Sequence, residues 1–155
     1  MIKKSGIPYT IFYPSSFMEN FDKGGYKQGN KMMLAGESKF PMWFIAGSDY
    51  GKQVAKAFQL PEAANRDYDV QGLEAFTADE AVKIFVENYQ KENLRVSKTP
   101  MLVLKVAGLF SREMKNLTKI IEALNNYPEK FNAETTWTEL GKPTLTLAEY
   151  ARQDK

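Results

Sequence analysis

Pro14-Ser15-Ser16-Phe17 is the stretch whose residue types and position best suit a binding site. It follows the unbroken apolar run Tyr9-Thr10-Ile11-Phe12-Tyr13. A run without alternation predicts a strand covered on both faces, as in a parallel α/β sheet. Wound α/β sheets bind ligands beyond the carboxyl ends of their strands, so the Ser15 and Ser16 hydroxyls stand where a ligand would lie. The same serines suit plain N-capping of a helical turn over residues 17–21, and both readings stay open. Elsewhere the chemistry is restricted by what is missing. The sequence contains no cysteine and no histidine, which excludes a thiolate nucleophile, a disulfide and Ser-His-Asp hydrolysis within the chain. Any reaction falls to Asp, Glu, Lys, Tyr or Ser, or to a bound cofactor.

The elements that must position these residues belong to one domain. A chain of 155 residues, 43% hydrophobic and 26% charged, has room for a real core and lies near globular averages. Its longest apolar runs, residues 42–46 and 101–104, are too short to span a bilayer. No signal-peptide pattern opens it, so a soluble cytoplasmic protein is expected, without membrane contact. A net charge of +2, with basic and acidic residues interspersed, gives no electrostatic case for nucleic acid.

In chain order, residues 1–5 read as the last turn of a helix, with Lys3 and Lys4 complementing its dipole and Gly6 as the residue after it. After the strand and turn at 9–21 comes a polar glycine-rich loop, 23–30. Short strands are expected at 31–35, 42–45, 67–71 and 94–96. Ser48 and Asp49 are N-cap candidates for a helix running to Phe58, with Val54, Ala55 and Phe58 on one face. Thr77 and Glu80 predict a capping box with Phe76 as staple, and Ala81, Ile84, Phe85 and Tyr89 as the apolar stripe. Thr99-Pro100 opens another helix, as cap and first residue. The clearest amphipathic helix covers 112–126, with Met114, Leu117, Ile120, Ile121 and Leu124 expected inside. Thr136 with Glu139 and Thr146 with Glu149 suggest two short closing helices.

Several motifs dissolve on inspection. Residues 24–31 look like a phosphate loop, but Asn30 separates Gly29 from Lys31 and the Gly-Lys-Ser/Thr ending is missing. No G-x-G-x-x-G occurs. Glu74, Asp79 and Glu80 cluster at a helix start, where dipole complementation explains all three. Asn116-Leu117-Thr118 fits a glycosylation sequon inside the best helix and is a chance match.

Taken together, the blocks resemble a known family. Ser5-Gly6-Ile7-Pro8-Tyr9-Thr10-Ile11, then Pro14 and Phe17-Met18-Glu19-Asn20-Phe21, resemble the mid-chain signature of the NmrA-like proteins, atypical members of the short-chain dehydrogenase/reductase superfamily. Trp43-Phe44-Ile45 leading to Asp49-Tyr50-Gly51 and Val54-Ala55 continues the likeness. So does Asp67-Tyr68-Asp69-Val70-Gln71-Gly72 with Glu74, Thr77 and Glu80. The resemblance is good over residues 1–95 and looser along the helical tail. There are departures. The glycine-rich dinucleotide-binding half that opens family members has no counterpart in this sequence. None of the eight tyrosines has a lysine four positions later, and Tyr13 stands where relatives carry Arg.

The resemblance implies one domain, 1–155, with an α/β fold (α+β as a fragment). It would comprise the last strands of a Rossmann-like sheet and a mainly helical C-terminal substrate lobe. It implies NAD(P) as cofactor, with Pro14, Ser15, Ser16 and Phe17 beside the nicotinamide and Met18, Asn20 and Trp43 near the substrate; no catalytic residue and no metal are assigned. Binding by this chain alone is expected to be weak or absent, since the diphosphate grip is not among these residues. The function implied is the substrate-lobe portion of an NAD(P)-dependent oxidoreductase that transfers hydride to a small carbonyl or quinone, not catalytic alone. The alternative is a non-catalytic ligand-sensing or protein-binding regulatory module. A strand at 9–13 built for two neighbours predicts association, as a homodimer or with a separate Rossmann half.

Overall fold

The computed structural model describes residues 2–153; Met1, the first residue of the expected helix tail, lies outside the described residues. A short 3-10 turn, Ile2–Lys4, ends before Gly6, whose φ of +73° is the left-handed conformation expected there. Lys3 pairs with Asp67. Strand β1 (Thr10–Pro14) and the short β2 (Ser16–Phe17) are separated by Ser15, whose N–H donates to Val70 O at 2.9 Å. A 3-10 turn, Met18–Asn20, follows. Then come β3 (Lys27–Gln28), β4 (Lys31–Ala35), β5 (Met42–Ile45), α1 (Gly47–Ala57), a 3-10 turn at Pro61–Ala63, β6 (Arg66–Val70) and β7 (Ala75–Phe76). Helix α2 (Ala78–Asn88), β8 (Arg95–Thr99), α3 (Met101–Phe110), α4 (Arg112–Asn126), α5 (Glu134–Leu140) and α6 (Leu147–Arg152) complete the chain. No helix among the described residues is long and apolar enough to cross a membrane.

The strands form three small sheets. β1 runs parallel to β6, with Thr10 opposite Arg66 and Pro14 opposite Val70. β5 lies between β2, parallel to it, and β7, antiparallel. β4 pairs antiparallel with β3 and parallel with β8. The mixed α/β class expected from the sequence is what the structure has. The main core lies between β4, β5, α2 and α6, where Phe21 stacks on Phe85 at 5.2 Å and on Tyr26 at 4.8 Å. A smaller cluster of Ala57, Ala63, Tyr68 and Leu140 supports the β1–β6 pair, with Phe12 stacked on Tyr68.

Local readings held where the partner is local. The Thr77–Glu80 capping box opens α2, Phe76 packs on the core, and Ala81 and Phe85 are buried. The Thr146–Glu149 box opens α6. Four expected caps are corrected. Ser15 and Ser16 do not cap the following turn, whose cap residue is Phe17; their hydroxyls go to β5 instead. Ser48 and Asp49 fall inside the first turn of α1, and the helix start at Gly47 is satisfied by the Glu19 carboxylate, both oxygens 3.0 Å from Gly47 N. Thr99 ends β8, so Pro100 is the residue before α3 rather than its first. Thr136 lies within α5 and donates to Asp69 O, while Glu139 takes Arg66 and the Tyr68 hydroxyl.

Two burial expectations are also corrected. β1 has one neighbouring strand among the described residues; Ile11 and Phe12 are half-buried and Tyr13 is exposed. Helix α4 has the expected bounds, but Leu117, Ile120 and Leu124 are exposed while Thr118 and Asn125 are buried. An apolar stripe shows that a helix has a preferred face; it does not say whether that face meets core or cleft.

Candidate functional site

The end of β1 opens onto a groove of about 650 Å³. It is lined by Pro14, Ser15, Ser16, Phe17, Asn20 and Met42, and by Ile120, Ala123, Leu124, Tyr127, Pro128 and Glu129 from α4 and the segment after it. A second cavity of about 540 Å³ adjoins it, sharing Asn20, Met42, Ile120 and Leu124. Its lining is mostly apolar, with Met33, Leu34, Leu104, Met114, Leu117 and Ile121, and Asn20, Gln28, Thr99 and Asn125 supply the polar groups. Asn125 donates to Ala35 O, which holds α4 over β4. The apolar stripe of α4 is therefore the shared wall of a two-chambered cleft.

Of the residues singled out from the sequence, the structure brings Pro14, Ser15, Ser16, Phe17 and Asn20 together around the groove. Met18 is 1% exposed and sits in the main core beneath it. The Trp43 side chain turns to an aromatic cluster, 4.9 Å from the ring of Phe131, which in turn packs edge-on against Trp137. Only the Trp43 backbone faces the groove's hydrogen-bond network.

That network centres on Glu129, which sequence reasoning missed. One carboxylate oxygen accepts from Trp43 N at 2.8 Å and lies 2.9 Å from the Ser15 hydroxyl; the other accepts from Gln71 Nε2 at 2.8 Å. The Ser15 hydroxyl also reaches Trp43 O at 2.6 Å and donates to one of the two at a time. Gln71, buried, completes its set through Lys130 O and Asn132 N, and Trp137 Nε1 donates to Gln71 O. The segment after α4 is thus tied to the ends of β1, β5 and β6. Glu129 lies 86 residues from Trp43, so the sequence signal was limited to a proline ending a helix. Replacing Glu129 with Ala should cost about 2 kcal/mol, because the half-buried Trp43 amide and the buried Gln71 side chain lose a carboxylate acceptor. Urea unfolding should read that loss, and hydrogen exchange at the Trp43 amide should speed up; an unchanged exchange rate would remove Glu129 from this role.

Chemically the groove is neutral to acidic. No Lys or Arg lines it, and its one charged group, Glu129, already has its donors. A planar uncharged ring fits such a wall; a diphosphate, which needs cations or a row of free amides, does not. Among the described residues no cluster of three or more acidic side chains could hold a metal ion. A third groove, about 570 Å³, lies at the opposite end of β1 between Tyr9, Phe12, Tyr50 and Leu60, with no charged lining residue. Its position at the amino end of the strand makes it the weaker candidate.

No family model matches the chain. It is 28% identical over 142 residues to agroclavine dehydrogenase of Claviceps fusiformis, covering 83% of this chain and 48% of that protein. It is 27% identical over 115 residues to a photosystem II assembly factor of Synechocystis, covering 72% of this chain and 34% of that protein. The chain thus spans about half, or less, of the length of these curated relatives. Among solved structures, an NADPH-dependent quinone oxidoreductase from Escherichia coli superposes with a TM-score of 0.68 at 18% identity, over 97% of this chain and 56% of that one. The resemblance to the C-terminal half of NmrA-like NAD(P)-binding proteins accords with these matches, and the fold is that of a Rossmann-like reductase's later strands and helical lobe.

Proposed function

We propose that this chain is the substrate-lobe portion of an NAD(P)-dependent oxidoreductase, contributing the nicotinamide-side wall and the substrate cavity but not the diphosphate grip. The observation that carries this reading is the convergence of Pro14, Ser15, Ser16, Phe17 and Asn20 on a cation-free groove that opens into an apolar cavity. The cofactor, when bound, supplies the hydride; the protein's part is to hold the ring and the acceptor and to exclude water. Phe17 and Leu124 would flank the ring, and the residues of α4 facing the cavity would receive a small, largely apolar carbonyl compound or quinone. The dehydrogenase relative supports an oxidoreductase, and the quinone oxidoreductase, alike in fold, makes a quinone the first acceptor to test. The open edge of β1 would take a strand from a glycine-rich half, which brings the phosphate-binding turn. A second copy pairing through the same edge is the other arrangement the edge permits.

Titration separates these parts. NADPH and ADP-ribose should bind the isolated chain no more tightly than about millimolar, for want of phosphate contacts. Reduced nicotinamide riboside, which carries no phosphate, should shift the amide resonances of Ser15, Ser16, Phe17 and Asn20. Micromolar ADP-ribose binding, or riboside shifts confined to other residues, would overturn the reading. The assembly-factor relative favours a second reading, a non-catalytic module that senses a ligand or contacts a protein partner. It is distinguished by riboside binding that never leads to hydride transfer once a glycine-rich half is supplied.

A further inference from the structure

We infer that the outer face of the α3–α4 hairpin docks on an anionic phospholipid surface. Helix α3 exposes nearly every apolar side chain it does not turn to α4 or to the cavity: Leu102, Val103 and Val106 are exposed, Leu109 is 80% exposed and Phe110 87%. Gly108 allows the two helices to meet closely, since a Cβ there would lie 3.1 Å from Lys115 Cα, and this closeness fixes the apolar tip beside the start of α4. A shallow groove of about 770 Å³ runs along this junction, lined by Leu109 and Phe110 together with Lys105, Arg112, Lys115 and Lys119. It shares no lining residue with the candidate site. Lys105 pairs with Glu122 at 2.7 Å, and Glu113 lies in the same first turn of α4 as Arg112. Arg112, Lys115 and Lys119 make no ion pair among the described residues.

The charge distribution chooses the occupant. The average +2 of the whole chain hides a basic hairpin, with Lys105, Arg112, Lys115 and Lys119 against Glu113 and Glu122. A second copy meeting this face by two-fold symmetry would set cations against cations. An anionic bilayer instead presents apolar depth to Leu109 and Phe110 and phosphate to the flanking cations, the pattern of an interfacial helix. At ten residues α3 is about 15 Å long, so it lies on such a surface and cannot span it. The expectation of no membrane contact came from run length and from the want of a signal-peptide pattern, neither of which describes a local face.

Co-sedimentation tests this with the full chain and vesicles of phosphatidylglycerol mixed into phosphatidylcholine, against phosphatidylcholine alone. The chain should pellet with the anionic vesicles only. Lys115→Ala and Lys119→Ala should each weaken binding about fivefold, and raising salt from about 0.1 M to about 1 M should release the protein. Leu109→Ser with Phe110→Ser should abolish binding, and because both residues are exposed the thermal melt should not move. Failure to pellet with anionic vesicles, equal pelleting with neutral ones, or a sedimentation shift from dimer to monomer caused by the serine pair without vesicles would each overturn the proposal.

Discussion

Gly72→Ala should unfold this protein or leave it without measurable stability at 25 °C. A Cβ built on Gly72 would lie 1.6 Å from the Phe44 carbonyl oxygen and 2.5 Å from its carbon, with Ile45 Cα at 3.2 Å. Those are backbone atoms of β5, the middle strand between β2 and β7, so no rotamer change relieves the clash. Either the connection from β6 to β7 lifts away or β5 moves and breaks its pairings at Ser16–Phe44 and Trp43–Ala75. The cost should exceed about 4 kcal/mol, the exceptional end of single substitutions. The glycine is required by close backbone approach. Gly51→Ala is the control: nothing lies within 4 Å of its Cβ position and it sits inside α1, so alanine there should stabilise by up to about 1 kcal/mol. Urea unfolding of the two variants should move in opposite directions. A Gly72→Ala protein within about 1 kcal/mol of the parent would show that β5 and the β6–β7 connection do not touch as described.

Gly72 also shows why the sequence disclosed the elements more fully than the site. Signals that live within one turn were readable: the Thr77 and Thr146 capping boxes, the bounds of α4, the strand character of residues 31–35 and 42–45. Interactions across the chain were not. Glu19 caps α1 from 28 residues away, Thr136 spends its hydroxyl on Asp69 O, and Glu129 reaches Trp43 N. A hydroxyl or carboxylate near a helix start suits local capping and a distant backbone group equally well, and only packing decides which is nearer. The Pro14–Phe17 stretch was conspicuous because strand, proline and hydroxyls coincide. Its opposite wall, on α4 and the segment after it, was hidden because the α4 stripe reads as core in any sequence pattern.

Asp49→Ala should cost about 3 kcal/mol at neutral pH, and the cost should shrink in acid. Asp49 is 3% exposed at the third position of α1, where its charge also complements the helix dipole. Its carboxylate accepts from Thr144 N at 2.8 Å, Leu145 N at 2.9 Å and Lys52 Nζ at 2.8 Å, clamping the segment between α5 and α6 onto α1. Removing it strands two backbone donors and releases the lead-in to α6, whose Leu147, Tyr150 and Ala151 complete the main core. Burial by itself pushes the Asp49 carboxyl upward, but the hydrogen bonds from Lys52, Thr144 and Leu145 outweigh it and hold the group below its ordinary value. A carboxyl held low in the folded state binds its proton more weakly there than in the unfolded chain. Its contribution is therefore fully present above the ordinary carboxylate value near 4 and is lost as pH falls through the folded value. Urea unfolding of parent and variant at pH 7, about 5 and about 3 should show the two curves converging towards acid. The parent's remaining acid sensitivity should persist in the variant, because Glu139 is also held low by the Tyr68 hydroxyl and Arg66. A gap between parent and variant that stays constant down to about pH 3 would show that the ionised form of Asp49 does not make the clamp.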